Sequence, residues 1–134
     1  MSEASVAALE KKIKESSAIV GVIGLDYIGL PLAVAFAKAG FKTLGLEVSK
    51  GKVAQLNKGI SFNPFLPQVK SYKGKLLKST NLTQSAVAGM DCVIIGTEHS
   101  AYDFAQISRR AKQLFDTRGV TTGLKGKNIT RLGE

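Results

Sequence analysis

The sequence predicts an α/β fold: one doubly wound domain, with a mostly parallel sheet of about six strands and an extra N-terminal helix. Three observations predict it. Apolar, β-branched runs alternate with stretches of helical periodicity along the chain, and a glycine turn in "GVIGLDYIGL" joins the first run to the first long helical stretch. With 134 residues, the chain also has room for a single core.

The composition is that of a globular protein that favours an anionic partner. Hydrophobic residues make up 44% of the chain and charged residues 22%, with a net charge of +9. A field of this sign attracts a nucleotide or another small anion, although a solvated basic rim is the alternative explanation. Because the sequence has neither zinc-ligand spacing nor basic repeats interleaved with aromatics, we do not expect nucleic acid as a partner. Seven lysines fall in one stretch: Lys50, Lys52, Lys58, Lys70, Lys73, Lys75 and Lys78.

The single cysteine, Cys92, excludes an internal disulfide and indicates a reducing, cytoplasmic compartment. It lies in the apolar run "DCVIIG", which predicts a buried structural thiol rather than a nucleophile. The apolar stretch from Ala18 to Ala37 resembles a membrane span in hydropathy, but Asp26 and Pro31 interrupt it. A buried strand that leads into a packed helix explains the same pattern, and we expect no membrane partner.

An amphipathic helix is predicted from about Glu3 to Ser16, where Val6, Leu9 and Ile13 recur at helical spacing. Three apolar side chains are too few to hold a helix alone, so it is expected to pack on the domain or to form a homodimer contact.

The other elements alternate along the chain. The predicted first half is a strand in "AIVGVI", a helix from Leu30 to a C-cap at Gly40, a strand in "FKTLGLE", and a helix over Lys50 to Lys58. A loop follows over Asn63 to Pro67. The predicted second half is a strand in "KLLKST", a helix capped by Thr83, a buried strand in "DCVIIGT", a helix over Ala101 to Leu114, and short strands in "LFDTR" and "NITRLG".

The glycine turn predicts a Rossmann-like nucleotide site. Gly24 and Gly29 take the first and third positions of the dinucleotide fingerprint, after a strand and at the start of a helix. Glu47 ends the next strand, where it is placed to accept hydrogen bonds from a ribose and to repel a 2′-phosphate. NAD is therefore favoured over NADP, with an exposed strand-end acid as the alternative explanation of Glu47.

Asp26 occupies the position of the second glycine. Two unit charges about 4 Å apart repel by about 4 kcal/mol at an effective dielectric of about 20, which is worth roughly a thousandfold in affinity. We therefore expect weakened binding of NAD, unless the carboxylate turns to solvent, pairs with a lysine or shares a cation with the diphosphate. The candidate phosphate-binding turn comprises Gly24, Leu25, Asp26, Tyr27, Ile28 and Gly29.

Three further residues are expected at the crevice above the carboxyl ends of the strands. Thr97 and His99 follow one strand and Arg118 follows another. Arg118 is suited to bind a phosphate, and a salt bridge with Asp116 or another surface acid is the alternative. His99, the only histidine, has no partner in sequence for acid–base or metal chemistry. No catalytic residue and no metal ligand is assigned.

Two segments resemble the nucleotide-sugar dehydrogenases, the UDP-glucose and UDP-N-acetylhexosamine 6-dehydrogenases. "EKKIKESSAIVGVIGLDYIGLPLAVAFAKAGFKTLGLEVSKGKVAQLNKG" is similar to the start of their NAD-binding domain. "DCVIIGTEHSAYDFAQISRRAKQLFDTRG" with "ITRLG", and "NPFLP" before it, is similar to the end of their C-terminal UDP-binding domain. The resemblance divides the single domain, residues 1–134, into an N-terminal helix (1–17), an NAD-type βαβ unit (18–59) and a UDP-type half (60–134), as in a deletion hybrid.

The resemblance implies a catalytic thiol loop with a nearby lysine and a dimerisation segment, and neither is found in this sequence. Cys92 lies in the wrong motif for that thiol. We therefore expect a nucleotide-binding module for NAD, or alternatively a UDP-type nucleotide, without a complete active site and not an enzyme by itself. The alternatives are a dimerising structural protein that has lost its ligand and a UDP-sugar dehydrogenase fragment that depends on a partner. Departures from the resembled motifs are Asp26, Asn63, Glu98 and Gly119.

Overall fold

The computed structural model of the chain describes residues 3–24, 29–47, 60–63, 66–68, 77–98 and 102–133. The helices within these ranges are α1 (Glu3–Lys14), α2 (Gly29–Lys38), α3 (Gln84–Ala88) and α4 (Phe104–Arg110). The strands are β1 (Ile19–Ile23), β2 (Lys42–Glu47), β3 (Ile60–Asn63), β4 (Leu66–Gln68), β5 (Leu77–Asn81), β6 (Cys92–Ile95), β7 (Leu114–Asp116) and β8 (Ile129–Arg131). The helix predicted over residues 50–58 lies outside the described residues.

Six strands form one sheet in the order β5-β2-β1-β6-β7-β8, and every neighbouring pair is parallel. Counted along the chain within this sheet, the order is 3-2-1-4-5-6, which is the order of doubly wound dinucleotide-binding sheets. The chain moves outward from β1 through β2 to β5 and then returns to β6 on the other side of β1. The predicted fold class is confirmed, and the carboxyl ends of β1 and β6 form the topological switch point.

Helices cover both faces of this sheet. On one face, α2 buries Leu30, Ala33 and Val34 against side chains of β1 and β6. On the other face, Val87 of α3 and Ile107 of α4 join the larger core cluster. That cluster contains Ile23, Leu46, Val87, Met90, Val93, Ile95, Tyr102, Ile107, Ala111 and Leu114. β6 contributes to both clusters and is almost wholly apolar, as expected of a strand between two helical layers.

A small hairpin corrects the predicted loop over Asn63 to Pro67. β3 and β4 pair in antiparallel fashion, with Ile60 opposite Gln68 and Asn63 opposite Leu66. A residue before proline is restricted to extended geometry, which excludes a helix but suits a strand as well as a loop. Pro67 lacks an N–H group, and such a residue is tolerated at the edge of a two-stranded sheet.

Helix α4 is shorter than the predicted helix over Ala101 to Leu114. The Asp103 side chain caps it by accepting a hydrogen bond from the Gln106 amide at 3.1 Å. At Ala111 the backbone becomes extended, with ψ at 137°, and Leu114 already belongs to β7. The apolar spacing continues past the helix end because the first buried residue of β7 falls where the next helical turn would place one. By contrast, the Thr83 cap is confirmed: its side chain accepts from the Ala86 amide at 3.1 Å.

Helix α1 is attached to the sheet through Asp91, at the amino end of β6. One carboxylate oxygen accepts from the Lys12 ammonium at 2.6 Å, and the other accepts from the Ile19 amide at 2.7 Å. Burial alone would raise the pKa of Asp91, but these hydrogen bonds and the charges of Lys12 and Lys112 hold it below its usual value. In the described part of the chain, no helix is long and apolar enough to cross a membrane.

Candidate functional site

The predicted site residues that the structure describes lie at one edge of the sheet. Gly24 follows β1, Glu47 ends β2, Thr97 follows β6 and Arg118 follows β7. Because these four strands are parallel neighbours, their carboxyl ends meet at the switch point. Gly29 is the first residue of α2. The remaining predicted residues lie outside the described ranges: Leu25, Asp26, Tyr27, Ile28 and His99.

Gly24, the first residue of the glycine turn, is closely packed against the loop after β6. The Gly24 amide donates to the Leu46 carbonyl at 3.2 Å, and its φ of +82° lies in the left-handed region that favours glycine. A Cβ at Gly24 would collide with the Thr97 side chain, and one at Gly29 would collide with the Gly24 carbonyl oxygen. Neither position has room for a side chain, so the start of α2 lies directly against Gly24.

A third glycine, Gly96, completes this close contact, and sequence reasoning missed it. Its amide donates to the Ile23 carbonyl at 3.0 Å. A Cβ here would lie 2.9 Å from Gly29 Cα and 3.2 Å from the Ile23 oxygen. The available signal was a glycine directly after the apolar run "CVII", a position where the backbone often approaches another segment closely.

Glu47 lies on the β2 side of the glycine turn. It follows Leu46, whose carbonyl accepts from Gly24, and its own carbonyl accepts from the Leu82 amide at 2.9 Å. The residue is 4% exposed, so it is not the exposed strand-end acid of the alternative explanation. Recognition of a ribose by Glu47 stays a prediction.

On the far side of the switch point, Arg118 pairs with Glu98. Its guanidinium lies 3.0 Å from a Glu98 carboxylate oxygen, and the pair joins the loops that follow β6 and β7. The salt bridge that was the alternative for Arg118 is present, with Glu98 as the acid, and phosphate binding by Arg118 stays a prediction. Asp116 accepts a hydrogen bond from the backbone amide of Arg118 and not from its guanidinium.

Asp116 organises the loop after β7, a role that the sequence analysis did not assign. One buried carboxylate oxygen accepts from the Arg118 and Gly119 amides, both at 2.9 Å. The other accepts from the Thr121 amide at 2.8 Å and the Thr121 hydroxyl at 2.6 Å. Burial would raise the pKa of Asp116, but these four donors hold it below its usual value. The signal in the sequence was an aspartate followed by polar residues and glycine, which is typical of a side chain that binds its own turn.

Arg131 ties the same loop to β8. Its guanidinium donates to the Thr121 hydroxyl at 3.1 Å, the Thr121 carbonyl at 2.7 Å and the Leu124 carbonyl at 2.5 Å. The loop after β7 that carries Arg118 is thus fixed both by a buried carboxylate and by a cation from the edge strand.

Cys92 does not belong to this site. It is the first residue of β6, at the opposite end of the strand from the switch point. Burial, together with the negative charge of Asp91, raises the pKa of its thiol to about 11, so the thiolate nucleophile is scarce at neutral pH. Within the described ranges, no three His, Cys, Asp or Glu side chains come together to hold a metal ion.

The sheet order and the close contact between Gly24 after β1 and Gly29 at the start of α2 define a Rossmann domain of the dinucleotide-binding class. The comparison of the sequence with family models agrees: the model "UDP-glucose/GDP-mannose dehydrogenase family, NAD binding domain" matches residues 18–112, more than half of the chain. The chain belongs to this family. Its cofactor candidate is therefore NAD, as the glycine turn predicts.

Relatives of known activity match a part of the chain. A UDP-N-acetyl-D-glucosamine 6-dehydrogenase of Salmonella typhi is 34% identical over 62 residues, which cover 46% of this chain and 14% of the relative. A Pseudomonas aeruginosa enzyme of the same name is 46% identical over 41 residues, covering 31% of this chain and 10% of the relative. The matches thus span about a tenth of the length of these relatives.

Solved structures share the fold. A UDP-N-acetyl-mannosamine dehydrogenase from S. aureus aligns with a TM-score of 0.59 at 20% identity, over 85% of this chain and 36% of that chain. A GDP-mannose dehydrogenase from Pseudomonas aeruginosa aligns with a TM-score of 0.57 at 17% identity, over 84% and 34% respectively. The family match continues past residue 59, and the division into an NAD-type and a UDP-type half stays a prediction.

Proposed function

We propose that the chain binds NAD at the switch-point crevice, with the diphosphate at the glycine turn and the adenosine ribose at Glu47. The observation that carries the proposal is the close contact at the ends of β1 and β6, where Gly24, Gly29 and Gly96 let the strand ends and the start of α2 pack with no side chain between them. The N-terminus of the ten-residue helix α2 opens directly onto this point, and it supplies N–H donors and a partial positive charge for a phosphate.

We also propose that the chain does not complete the oxidation of a UDP-sugar by itself. The family resemblance implies a thiol that holds the sugar during two hydride transfers. The only cysteine of the sequence is Cys92, whose thiol lies at the wrong end of β6 and has a raised pKa. Dependence on a partner that supplies the thiol loop stays an alternative, and NADH formation from UDP-sugars only in the presence of a full-length homologue would support it.

The test of NAD binding is calorimetric titration of the wild type, Asp26→Gly and Asp26→Asn with NAD. Repulsion between the Asp26 carboxylate and the diphosphate predicts that both variants bind more tightly, by up to roughly a thousandfold. Asp26→Asn keeps the shape of the side chain and removes its charge. The gain in NAD affinity of this variant therefore measures the electrostatic part of the repulsion alone. Equal affinity in all three proteins would mean that the carboxylate points away from the ligand.

Titration with UDP and with a UDP-sugar separates the two nucleotide candidates. If the wild type and both variants bind UDP and none of them binds NAD, the NAD proposal is contradicted and the UDP-type alternative is favoured. The partner that we propose is thus a nucleotide or another small anion.

The single cysteine supports a reducing, cytoplasmic compartment for this function. Self-association through α1 stays a prediction, and a net charge of +9 on each copy opposes it.

A further inference from the structure

We propose that a second site, between α1 and the α2 face of the sheet, binds a free amphiphilic monoanion such as a medium-chain fatty carboxylate. The site consists of two adjoining cavities, remote from the switch-point crevice. One is an apolar cavity of about 370 Å³, which falls in the size range of ligand pockets. Its principal lining side chains are Leu9, Ile13, Phe36, Phe41, Cys92 and Phe115.

The apolar cavity exists because α1 covers this part of the sheet only partly. Helix α2 packs over β1 and β6, whereas Phe115 of β7 is half-buried. Ile13 of α1 lines the cavity and is nevertheless 50% exposed, which is unusual for a large aliphatic side chain. An apolar ligand body would contact surface that now faces solvent on both walls, and burying that surface is favourable.

The second cavity supplies the charge. It measures about 380 Å³ and shares Leu9 and Gln113 with the apolar cavity. Lys12, Lys112 and Asp91 line it. Its described lining residues therefore carry two ammonium groups and one carboxylate. Lys12 is already paired with Asp91 at 2.6 Å, and Lys112 is exposed. The net positive charge favours an anionic head group near the shared wall, next to the ammonium of Lys112.

This arrangement favours an amphiphile over a second copy of the chain. The apolar cavity and the cationic cavity lie side by side, which matches a molecule with one apolar and one anionic end. Two copies of the chain, each with a net charge of +9, would instead bring like charges together.

The test uses the full chain with monomeric decanoate and, as the uncharged counterpart, decanol. By calorimetry, Lys112→Glu should weaken decanoate binding by roughly tenfold and Lys112→Gln by about threefold, while decanol binding stays within about twofold. Lys125→Glu is the matched control, because Lys125 is an exposed lysine on the loop between β7 and β8, outside both cavities. It should leave decanoate binding unchanged.

Alkylation of Cys92, the only thiol, reports where the ligand lies. Bound decanoate should slow the reaction of Cys92 with iodoacetamide severalfold in the wild type and in Lys125→Glu. The proposal is overturned if decanoate does not bind, if Lys112→Glu and Lys125→Glu have the same effect, or if Cys92 is not protected. The proposal is also overturned if, without ligand, the molecular mass of the protein doubles as its concentration rises and Cys92 becomes protected from iodoacetamide at the same time. That result would assign the surface to a second copy of the chain.

Discussion

The contact between Gly24 and Thr97 shows how strictly single residues define the glycine turn. Two separate constraints act on Gly24: a φ of +82°, and the Thr97 side chain in the space that a Cβ would need. Gly40 has a φ of +99° but nothing within 4 Å of the position that a Cβ would take, so it carries the first constraint alone. The pair allows backbone strain and steric exclusion to be measured separately.

We expect Gly40→Ala to lower the free energy of unfolding by about 1 kcal/mol, the cost of the left-handed conformation. Gly24→Ala should cost about 3 kcal/mol, since the clash with Thr97 adds to that strain. In the double variant Gly24→Ala, Thr97→Gly, part of the loss should be recovered. Urea denaturation of the wild type, of these variants and of Thr97→Gly measures these free energies of unfolding. If the effects of Gly24→Ala and Thr97→Gly are strictly additive, the Thr97 side chain does not exclude a Cβ at Gly24.

Asp116 makes a pH-dependent contribution to stability. Because its pKa is lowered in the folded state, the carboxylate stabilises the protein above the unfolded pKa of about 3.9, and this stabilisation is lost as pH falls through the folded pKa. Asp91 has the same direction of shift and contributes in the same window.

Asp116→Asn should therefore lower the free energy of unfolding by about 3 kcal/mol at neutral pH, because an amide nitrogen would face buried N–H and O–H donors. The loss should shrink as the wild type is acidified below about pH 4. Denaturant unfolding between about pH 2 and 7 measures both effects. Asp103→Asn, which preserves the cap of α4, is the control, and a loss in Asp116→Asn that does not change with pH would contradict the ionic role.

Among the elements, those with a strong local pattern were predictable and those set by tertiary contacts were not. The strand, glycine turn and helix from β1 to α2 follow from apolar periodicity and capping, which are local properties of the chain. The end of α4 was misplaced because the buried Leu114 of β7 continued its apolar spacing. Similarly, the prolines in "NPFLP" restrict the backbone to extended geometry, and only the pairing of Asn63 with Leu66 distinguishes a hairpin from a loop.

The attachment of α1 depends more on Asp91 than on Lys12. Lys12→Ala should lower the free energy of unfolding by less than about 1 kcal/mol, since the Lys12 side chain is 46% exposed and solvent screens the pair. Asp91→Ala should cost about 2 kcal/mol, because it also leaves the Ile19 amide without its acceptor. Urea denaturation with hydrogen exchange at the Ile19 amide measures both, and equal losses would mean that the ion pair alone attaches the helix.

At the scale of the whole molecule, the order of the strands positions the site. The sequence predicted a parallel sheet, and hence that Gly24, Glu47, Thr97 and Arg118 follow neighbouring strands at one edge of it. It did not predict the roles of Gly96 and Asp116 or the acid that pairs with Arg118, because these depend on how loops from distant strands meet. It likewise did not predict that Glu47 is buried.

The same strand order has a kinetic consequence. β1 and β6 lie side by side, although the Ile19–Asp91 hydrogen bond between their ends joins residues 72 positions apart. Closing such a long segment of chain is slow compared with forming a local strand–turn–helix unit. We therefore expect the contact between β1 and β6 at the switch point to form late in folding, and a nucleotide that requires it should slow unfolding while leaving the folding rate almost unchanged.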